Sequence, residues 1–339
     1  MSRGLDSSEG KWFTVLQGRG ATAAAINADG RIAVSGCSDG SVWAWDVDAQ
    51  RRLCALAGPS KVHAVALSAD GSLALAACDD GGVRAWDLRG ERCLHVLEGH
   101  TGSVRSVALS ADGLTGCSGG SDRTVHVWDL ASGQCLHVLG GHERDVEFVG
   151  MSADAGRVVS AMRTDWVHRG SILRVWDVAT ASCERAIALP DASSLAISAD
   201  GCVAVTGADW DARYSPWTPG RVSVWELATG RRVHQRDTIG EIVAGAADAS
   251  RAVSVCMPDG KFLLHEWHPD ETMTLYAHEI TAGVSAEVNL HADIESVVIS
   301  ADGRVVVLVF NSPRDWPAAK CFTGAVAMWR LARSTESNL

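Results

Sequence analysis

The stretch "SVRSVALSADGLTGCSGGSDRTVHVWDL" (Ser103–Leu130) contains the two motifs that indicate the fold class of the chain. Its apolar residues alternate or form short Val-rich runs, and the runs end in turns such as Asp-Gly. This pattern is typical of short β-strands, because no long 3.6-residue period accompanies it. Two markers divide the stretch, "SADG" at Ser110–Gly113 and "HVWD" at His126–Asp129.

Both markers recur along the chain in strict alternation. "SADG" or a variant begins at Asn27, Ser68, Ser110, Ser152, Ser198, Ala246 and Ser300. The second marker follows each of them, with its Trp at Trp45, Trp86, Trp128, Trp176, Trp225, Trp267 and Trp329. Each unit of about 42 residues has room for four short strands. In the sixth unit, counting from Asp259-Gly260 predicts His265 at the usual Trp position, with Trp267 two residues late.

These units resemble the WD40 repeat family, whose repeats are four-stranded blades of a β-propeller. The resemblance runs from about Lys11 to Leu331 and implies an all-β, seven-bladed propeller of antiparallel blades. We expect one domain over residues 11–331, with flexible ends at 1–10 and 332–339. "KWFTVLQG" (Lys11–Gly18) resembles the last strand of other units, so the N-terminal strand is expected to close the ring.

The resemblance also implies a hydrogen-bonded network within each blade. In the third unit its members would be His100, Ser118, Asp122 and Trp128. Gly58-Pro59 replaces the Gly-His pair in the second unit, so that blade is expected to be less well tied.

Loop length separates the later units from the earlier ones. The marker Asp and the marker Trp are 16 residues apart in the first three units, but 22, 25 and 27 apart in the fourth, fifth and seventh. A further insertion of about ten residues lies between Trp267 and Asp302. In antiparallel blades these loops emerge on one face, so all insertions are expected on one face of blades 4 to 7. Such a bias often marks a binding face.

The three inserted loops share one dipeptide, Asp-Trp, which occurs nowhere else in the chain. Exposed Trp, Tyr and Arg side chains are typical of binding hot spots. The candidate binding residues are Arg163, Asp165, Trp166, His168, Asp209, Trp210, Arg213, Tyr214, Trp217, Arg314, Asp315 and Trp316.

Two other interpretations of these loops stay open. Asp165 and Asp209 fall within a residue of the position of the network Asp, so the loops could simply pack on one another. Asp209 and Asp211 could instead form a carboxylate pair for catalysis, with His168 as a base or metal ligand. No nucleophile elbow, phosphate loop or metal motif supports catalysis.

Composition narrows the classes of partner. The net charge of −11 disfavours nucleic acid and anionic membranes. No 18-residue apolar run and no N-terminal apolar segment occur, so we expect a cytoplasmic protein. The ten Cys form no CxxC pair, which predicts free thiols, no metal and no cofactor. The Arg-, Ala- and Gly-rich composition with few Lys favours a bacterial source.

We therefore expect a monomeric, non-catalytic scaffold that binds a protein or peptide through the elaborated face of blades 4 to 7. The alternative is a small-molecule or enzymatic site formed by the Asp-Trp loops of blades 4, 5 and 7, and enzyme activity is left open. The ligand's charge is also open, because a cation could bind the Trp faces and an acid could pair with the loop Arg side chains. The whole-chain charge slightly favours a basic partner.

Overall fold

The computed structural model of this 339-residue chain describes most of its first two thirds and the strands beyond. The described residues are 11–17, 20–162, 170–189, 193–208, 220–238, 242–245, 252–256, 263–267, 275–279, 293–299, 305–311 and 325–330. Among them, no helix has the length and apolar character needed to cross a membrane.

Strand β1 (Lys11–Gln17) precedes five consecutive four-stranded sheets, which we call blades 1 to 5. Blade 1 contains β2 (Ala21–Ile26), β3 (Ile32–Cys37), β4 (Ser41–Asp46) and β5 (Arg51–Ala57). Blade 2 contains β6 (Val62–Leu67), β7 (Leu73–Cys78), β8 (Val83–Asp87) and β9 (Arg92–Leu97). Blade 3 contains β10 (Val104–Leu109), β11 (Thr115–Gly120), β12 (Val125–Asp129) and β13 (Gln134–Leu139).

Blade 4 contains β14 (Val146–Met151), β15 (Arg157–Met162), β16 (Ser171–Asp177) and β17 (Ser182–Leu189). Blade 5 contains β18 (Ser194–Ile197), β19 (Val203–Ala208), β20 (Gly220–Glu226) and β21 (Arg231–Thr238). The later strands are β22 (Ile242–Gly245), β23 (Ala252–Cys256), β24 (Leu263–Trp267), β25 (Leu275–Glu279), β26 (Asp293–Ile299), β27 (Val305–Asn311) and β28 (Ala325–Arg330).

Neighbouring strands within each blade are antiparallel. The first strand of each blade also contacts the first strand of the next blade, from β2 through β6, β10 and β14 to β18. Apolar side chains fill the spaces between blades; Leu75 and Val83 of blade 2, for example, share a buried cluster with Val107 and Trp128 of blade 3. The molecule is thus all-β, with its sheets arranged as blades in a manner consistent with a β-propeller.

The "SADG" marker links successive blades through its backbone. The marker Ala donates its N–H to the carbonyl of the equivalent Ala in the next blade: from Ala28 to Ala69 (3.2 Å), Ala69 to Ala111 (3.4 Å), Ala111 to Ala153 (2.9 Å) and Ala153 to Ala199 (2.7 Å). These four hydrogen bonds connect the turns between the first and second strands of blades 1 to 5. They explain why the turn, rather than the strands, is the most constant part of the repeat.

The other marker residues shape the turn itself. In blade 3, Ser110 Oγ donates to Asp112 Oδ1 at 2.6 Å, and the Leu114 N–H donates to the same oxygen at 2.9 Å. Gly113 has a φ of 70°, which glycine adopts at little cost. The sequence Ser-Ala-Asp-Gly therefore satisfies its own polar groups locally.

The marker Trp occupies the same register in every sheet. Trp128 pairs with Gly116, the fourth residue after the marker Asp112, and Trp267 pairs with Ala252, the fourth after Asp248. The prediction that His265 takes the Trp position is therefore wrong. Six residues separate β23 from β24, whereas four separate β11 from β12, so a count from Asp259-Gly260 starts too early.

The indole N–H of the marker Trp usually finds a hydroxyl on the second strand. Trp128 donates to Ser118 (2.8 Å), Trp176 to Ser160 (2.7 Å), Trp225 to Thr206 (2.9 Å) and Trp45 to Ser35 (3.3 Å). Blade 2 has Ala76 at that position, and the buried Trp86 Nε1 has no hydrogen-bond partner among the described residues. A buried donor without a partner costs stability.

Restoring the hydroxyl should therefore stabilise the protein. We expect Ala76→Ser to raise the free energy of unfolding by about 1 kcal/mol, because the Trp86 N–H gains an acceptor. Chemical denaturation measures the change. Ala77→Ser is the matched control, since Ala77 is equally buried but lies on the other face of the strand. Equal effects of the two substitutions would contradict the prediction.

Candidate functional site

The structure separates the predicted site residues into two groups. The twelve loop residues predicted to bind a partner, which lie in 163–168, 209–217 and 314–316, fall outside the described residues. The four residues of the predicted blade network, in contrast, are all described and lie together in blade 3.

The blade 3 network is a continuous chain of hydrogen bonds. Asp122 Oδ2 lies 2.8 Å from His100 Nδ1, and His100 Nε2 lies 2.8 Å from Ser118 Oγ, which also accepts the Trp128 N–H. The His100 ring is fully buried and stacks on His126, with ring centroids 3.9 Å apart. The chain thus ties the loop before the first strand to the second and third strands of the blade.

A metal-binding interpretation of this network fails on its hydrogen bonds. His100, Asp122 and His126 place ligand-type atoms within 4.8 Å of one another. However, both ring nitrogens of His100 already bond to side chains of the blade, so an ion would have to break the network. We therefore assign no metal site to these three residues as a group.

The equivalent positions of blades 2 and 4 make different side-chain contacts from those of blade 3. In blade 2, Arg84 forms a bidentate pair with Asp80, at 3.1 and 2.7 Å, and the hydrogen bonds from Arg84 lower the pKa of Asp80 to about 2. This pair joins β8 to the loop that precedes it, within one hairpin. In blade 4, His142 Nε2 lies 2.7 Å from Ser160 Oγ, while its Nδ1 has no partner among the described residues.

Burial of these imidazoles makes stability depend on pH. Desolvation, with a smaller contribution from His100, lowers the pKa of His126 to about 4, and desolvation with repulsion from Arg174 lowers the pKa of His142 to about 4. The unfolded chain, whose His pKa is about 6.5, binds protons more readily than the folded chain in this range. Stability is therefore full above pH 6.5 and is lost as the pH falls towards 4.

We expect the thermal midpoint to fall steadily between pH 7 and pH 4.5 for this reason. His142→Gln should flatten the dependence, because one of the two strongly shifted groups is gone. Calorimetry of both proteins across the range tests this. A variant whose midpoint falls as steeply as that of the wild type would contradict the role of His142.

A second feature recurs at the start of the first strands, at the end opposite the "SADG" turn. The register of the first strand shifts by one residue against the second, as in a β-bulge, in blades 1 to 4 and between β26 and β27. The extra residue is polar each time, although the strands around it are largely apolar; these residues are Thr22, His63, Arg105, Glu147 and Glu295. Bulges are commonly used to re-aim one side chain. We call these five positions the bulge ring.

The described side chains of the bulge ring contact neighbouring blades. Thr22 Oγ1 donates to the carbonyl of Val62 in blade 2 at 2.6 Å. Arg105 Nε lies 4.0 Å from Glu147 Oε1 in blade 4. Part of the role of the ring is therefore to hold blades together.

Asp79 extends the bulge ring towards solvent. Its Oδ1 lies 2.7 Å from His63 Nε2 and accepts a hydrogen bond from Ser103 Oγ at 3.0 Å. Hydrogen bonds from His63 and then Ser103 lower the pKa of Asp79, so the carboxylate is ionised at neutral pH. The side chain is 53% exposed, and Oδ2 accepts no hydrogen bond from the described residues. Asp79 is thus a fixed anionic acceptor facing solvent.

Asp79, His63 and Ser103 do not form a catalytic triad. In a Ser-His-Asp triad the imidazole lies between the hydroxyl and the carboxylate and takes the hydroxyl proton. Here the carboxylate lies between Ser103 and His63, so the described contacts give the Ser103 hydroxyl no imidazole base. The arrangement can bind a hydrogen-bond donor or a cation.

Two kinds of loop meet on the face that carries Asp79. The Asp79 N–H donates to the Lys61 carbonyl at 2.9 Å, and the Ser121 N–H donates to the Ser103 carbonyl at 2.9 Å. Loops between the second and third strands therefore lie against loops that lead into the first strand. We call this surface the loop face; the sequence insertions belong to the same two kinds of loop.

Sequence reasoning missed the bulge ring and Asp79. A signal was available, because each bulge-ring residue precedes the first residue of its "SADG" marker by five positions, as His63 precedes Ser68. A polar residue at one fixed place in an apolar strand breaks the alternation. The contact of Asp79 with Ser103 of the next blade, however, has no sequence signal.

Comparisons with known proteins agree with the repeat structure. The family model described as "WD domain, G-beta repeat" matches residues 10–46, 50–87 and 91–129. No curated protein matches the sequence. A solved structure titled "Structure of U3-55K" has a TM-score of 0.74 and 18% sequence identity to this chain, and the match covers 97% of this chain and 100% of that one.

In all, 1764 chains of solved structures are similar, so the fold is common and does not by itself select a function. The three consecutive matched repeats, which coincide with β1 to β4, β5 to β8 and β9 to β12, are the evidence for the family. Residues 10–129 of this chain therefore contain three WD40 repeats.

Proposed function

We propose that this protein is a non-catalytic scaffold that binds a protein or peptide through its loop face. WD40 propellers are generally protein-interaction scaffolds, which supports the class of function. The observation that carries the proposal is Asp79, an ionised carboxylate fixed by two donors from two blades and open to solvent. A preorganised charge of this kind gives specificity at low entropic cost.

The chemistry of Asp79 and the net charge of −11 both favour a basic partner. A Lys or Arg side chain could donate to Asp79 Oδ2 without displacing His63 or Ser103. The Asp-Trp loops of blades 4, 5 and 7 would supply the remaining contact area, with Trp166, Trp210 and Trp316 as aromatic anchors.

We further propose that the sheets close into a ring of seven blades. Strands β22 to β25 and β26 to β28 pair as two more sheets, and β1 pairs with β28 as the outer strand of the last. Val307 and Val309 of β27 pack in one buried cluster with Trp45 of blade 1 and its neighbours, as closure requires.

The alternative is a small-molecule or enzymatic site formed by Asp165, Asp209 and Asp315 with their neighbouring Trp residues. A small ligand would need these side chains to converge in a deep pocket, whereas a protein partner needs a broad surface. Binding by a protein partner that survives removal of all small molecules separates the two.

Affinity capture from the native host's lysate tests the proposal. We expect wild type to retain a specific partner, Trp166→Ala/Trp210→Ala/Trp316→Ala to lose it, and Asp79→Asn to bind about tenfold more weakly, which corresponds to about 1.4 kcal/mol. Asp79→Asn keeps an acceptor for His63 and Ser103, so the blades should stay intact.

Glu91→Gln is the matched control for Asp79→Asn. It also removes one exposed carboxylate from blade 2, but from the turn at the opposite end of the blade. Equal loss of binding in Glu91→Gln would mean that only net charge matters. A partner that is retained by all three variants would contradict the proposal.

A further inference from the structure

A thiol and an imidazole face each other on the outer side of blade 3. Cys135 Sγ lies 3.8 Å from His126 Nδ1. The two residues are brought together because Cys135 is the β13 partner of Trp128, at a register shift between β12 and β13, and His126 precedes Trp128 by two residues. This contact has no part in the proposed scaffold function.

The separation of the two atoms is short enough for one metal ion to bond to both. Metal–sulfur and metal–nitrogen bonds of about 2.3 Å and about 2.05 Å, as for zinc, would span 3.8 Å at an angle of about 120°. That angle leaves room for a further ligand on the solvent side.

The two side chains differ in exposure in a way that suits metal entry. His126 is 4% exposed, and its burial disfavours the protonated ring, so a nitrogen lone pair is kept for a ligand bond. Cys135 is exposed, so an ion can reach the sulfur from solvent. A fixed imidazole beside an accessible thiol is therefore present without any rearrangement of the backbone.

We propose that Cys135 and His126 form a binding site for a soft, low-coordinate metal ion, Cu(I). Thiolate and imidazole are ligands that bind Cu(I) well. Structural zinc sites use four protein ligands, and this pair supplies two. The Cys135 thiol donates to the His137 carbonyl at 3.4 Å, and desolvation raises its pKa, so the metal must displace the proton. In this exchange the Cys135 S–H bond breaks, an S–Cu bond and a Cu–Nδ1 bond form, and the proton passes to solvent. No electron is transferred.

Blades 2 and 4 provide internal controls for this site. Cys93 is the partner of Trp86 and Cys183 the partner of Trp176, so both thiols occupy the register of Cys135. The residue at the position of His126 is Arg84 in one blade and Arg174 in the other, and Arg174 Nη1 lies 3.9 Å from Cys183 Sγ. A guanidinium cannot bind a cation and repels it.

Anaerobic titration of the full-length protein with Cu(I), against a chromophoric Cu(I) chelator, tests the proposal. We expect wild type, Cys93→Ser and Cys183→Ser to bind the tightest equivalent of Cu(I) alike. Cys135→Ser should weaken that equivalent at least tenfold. X-ray absorption of the one-equivalent complex should show one nitrogen ligand beside sulfur.

The exposed position of Cys135 means that Cys135→Ser should fold, which circular dichroism can verify. Unchanged Cu(I) affinity in Cys135→Ser would overturn the proposal. So would an equal loss in Cys93→Ser, because that result would show that any exposed thiol of this register suffices. A complex with sulfur ligands alone would exclude His126.

Discussion

The backbone hydrogen bond between the marker alanines of successive blades fixes how each blade lies against the next. Its donor and acceptor belong to the main chain of the "SADG" turn, so it does not depend on which side chains a blade carries. Because the turn is held locally by the marker Asp and Gly, the same contact can be repeated from blade 1 to blade 5. In blades 1 to 5 the end that carries the turns is thereby fixed, and their variation in loop length lies at the other end.

One position on the third strand, away from the "SADG" turn, carries a different side chain in each of blades 1 to 3. At the residue two before the marker Trp, blade 1 has Trp43, blade 2 has Arg84, blade 3 has His126 and blade 4 has Arg174. Trp43 lies under Arg52, Arg84 pairs with Asp80, and His126 stacks on His100. The side chain at this equivalent position therefore differs between blades, and so do its contacts. This freedom gives each blade its own surface chemistry without any change in strand register.

Much of the architecture could be predicted from the sequence, because the two markers have strong local causes. The alternation of "SADG" and Trp-Asp predicts the strand order, and His100, Ser118, Asp122 and Trp128 lie in one hydrogen-bonded chain. The sixth unit shows where counting fails: Trp267 keeps its register with Ala252 because pairing, and not distance from the preceding turn, sets a strand's position.

The candidate site was less accessible to sequence reasoning. The bulge ring depends on a register shift, which the pairing of two strands reveals and the sequence signals only as a polar residue at one fixed place in an apolar strand. The acceptor at Asp79 depends on Ser103, which lies 24 residues away in another blade. Contacts of this kind arise from the packing of blades and leave no periodic pattern. The Asp-Trp loops, which their inserted length and shared dipeptide singled out, remain a prediction.

Site-specific photo-crosslinking in cells of the native host can show whether the loop face binds a partner. A crosslinker in place of Glu143 lies on the loop face of blade 4, and one in place of Ala179 lies in the turn at the opposite end of the same blade; both positions are exposed. If the loop face binds the partner, position 143 yields a discrete crosslinked product and position 179 yields none. Crosslinking from position 179 alone would contradict binding at the loop face.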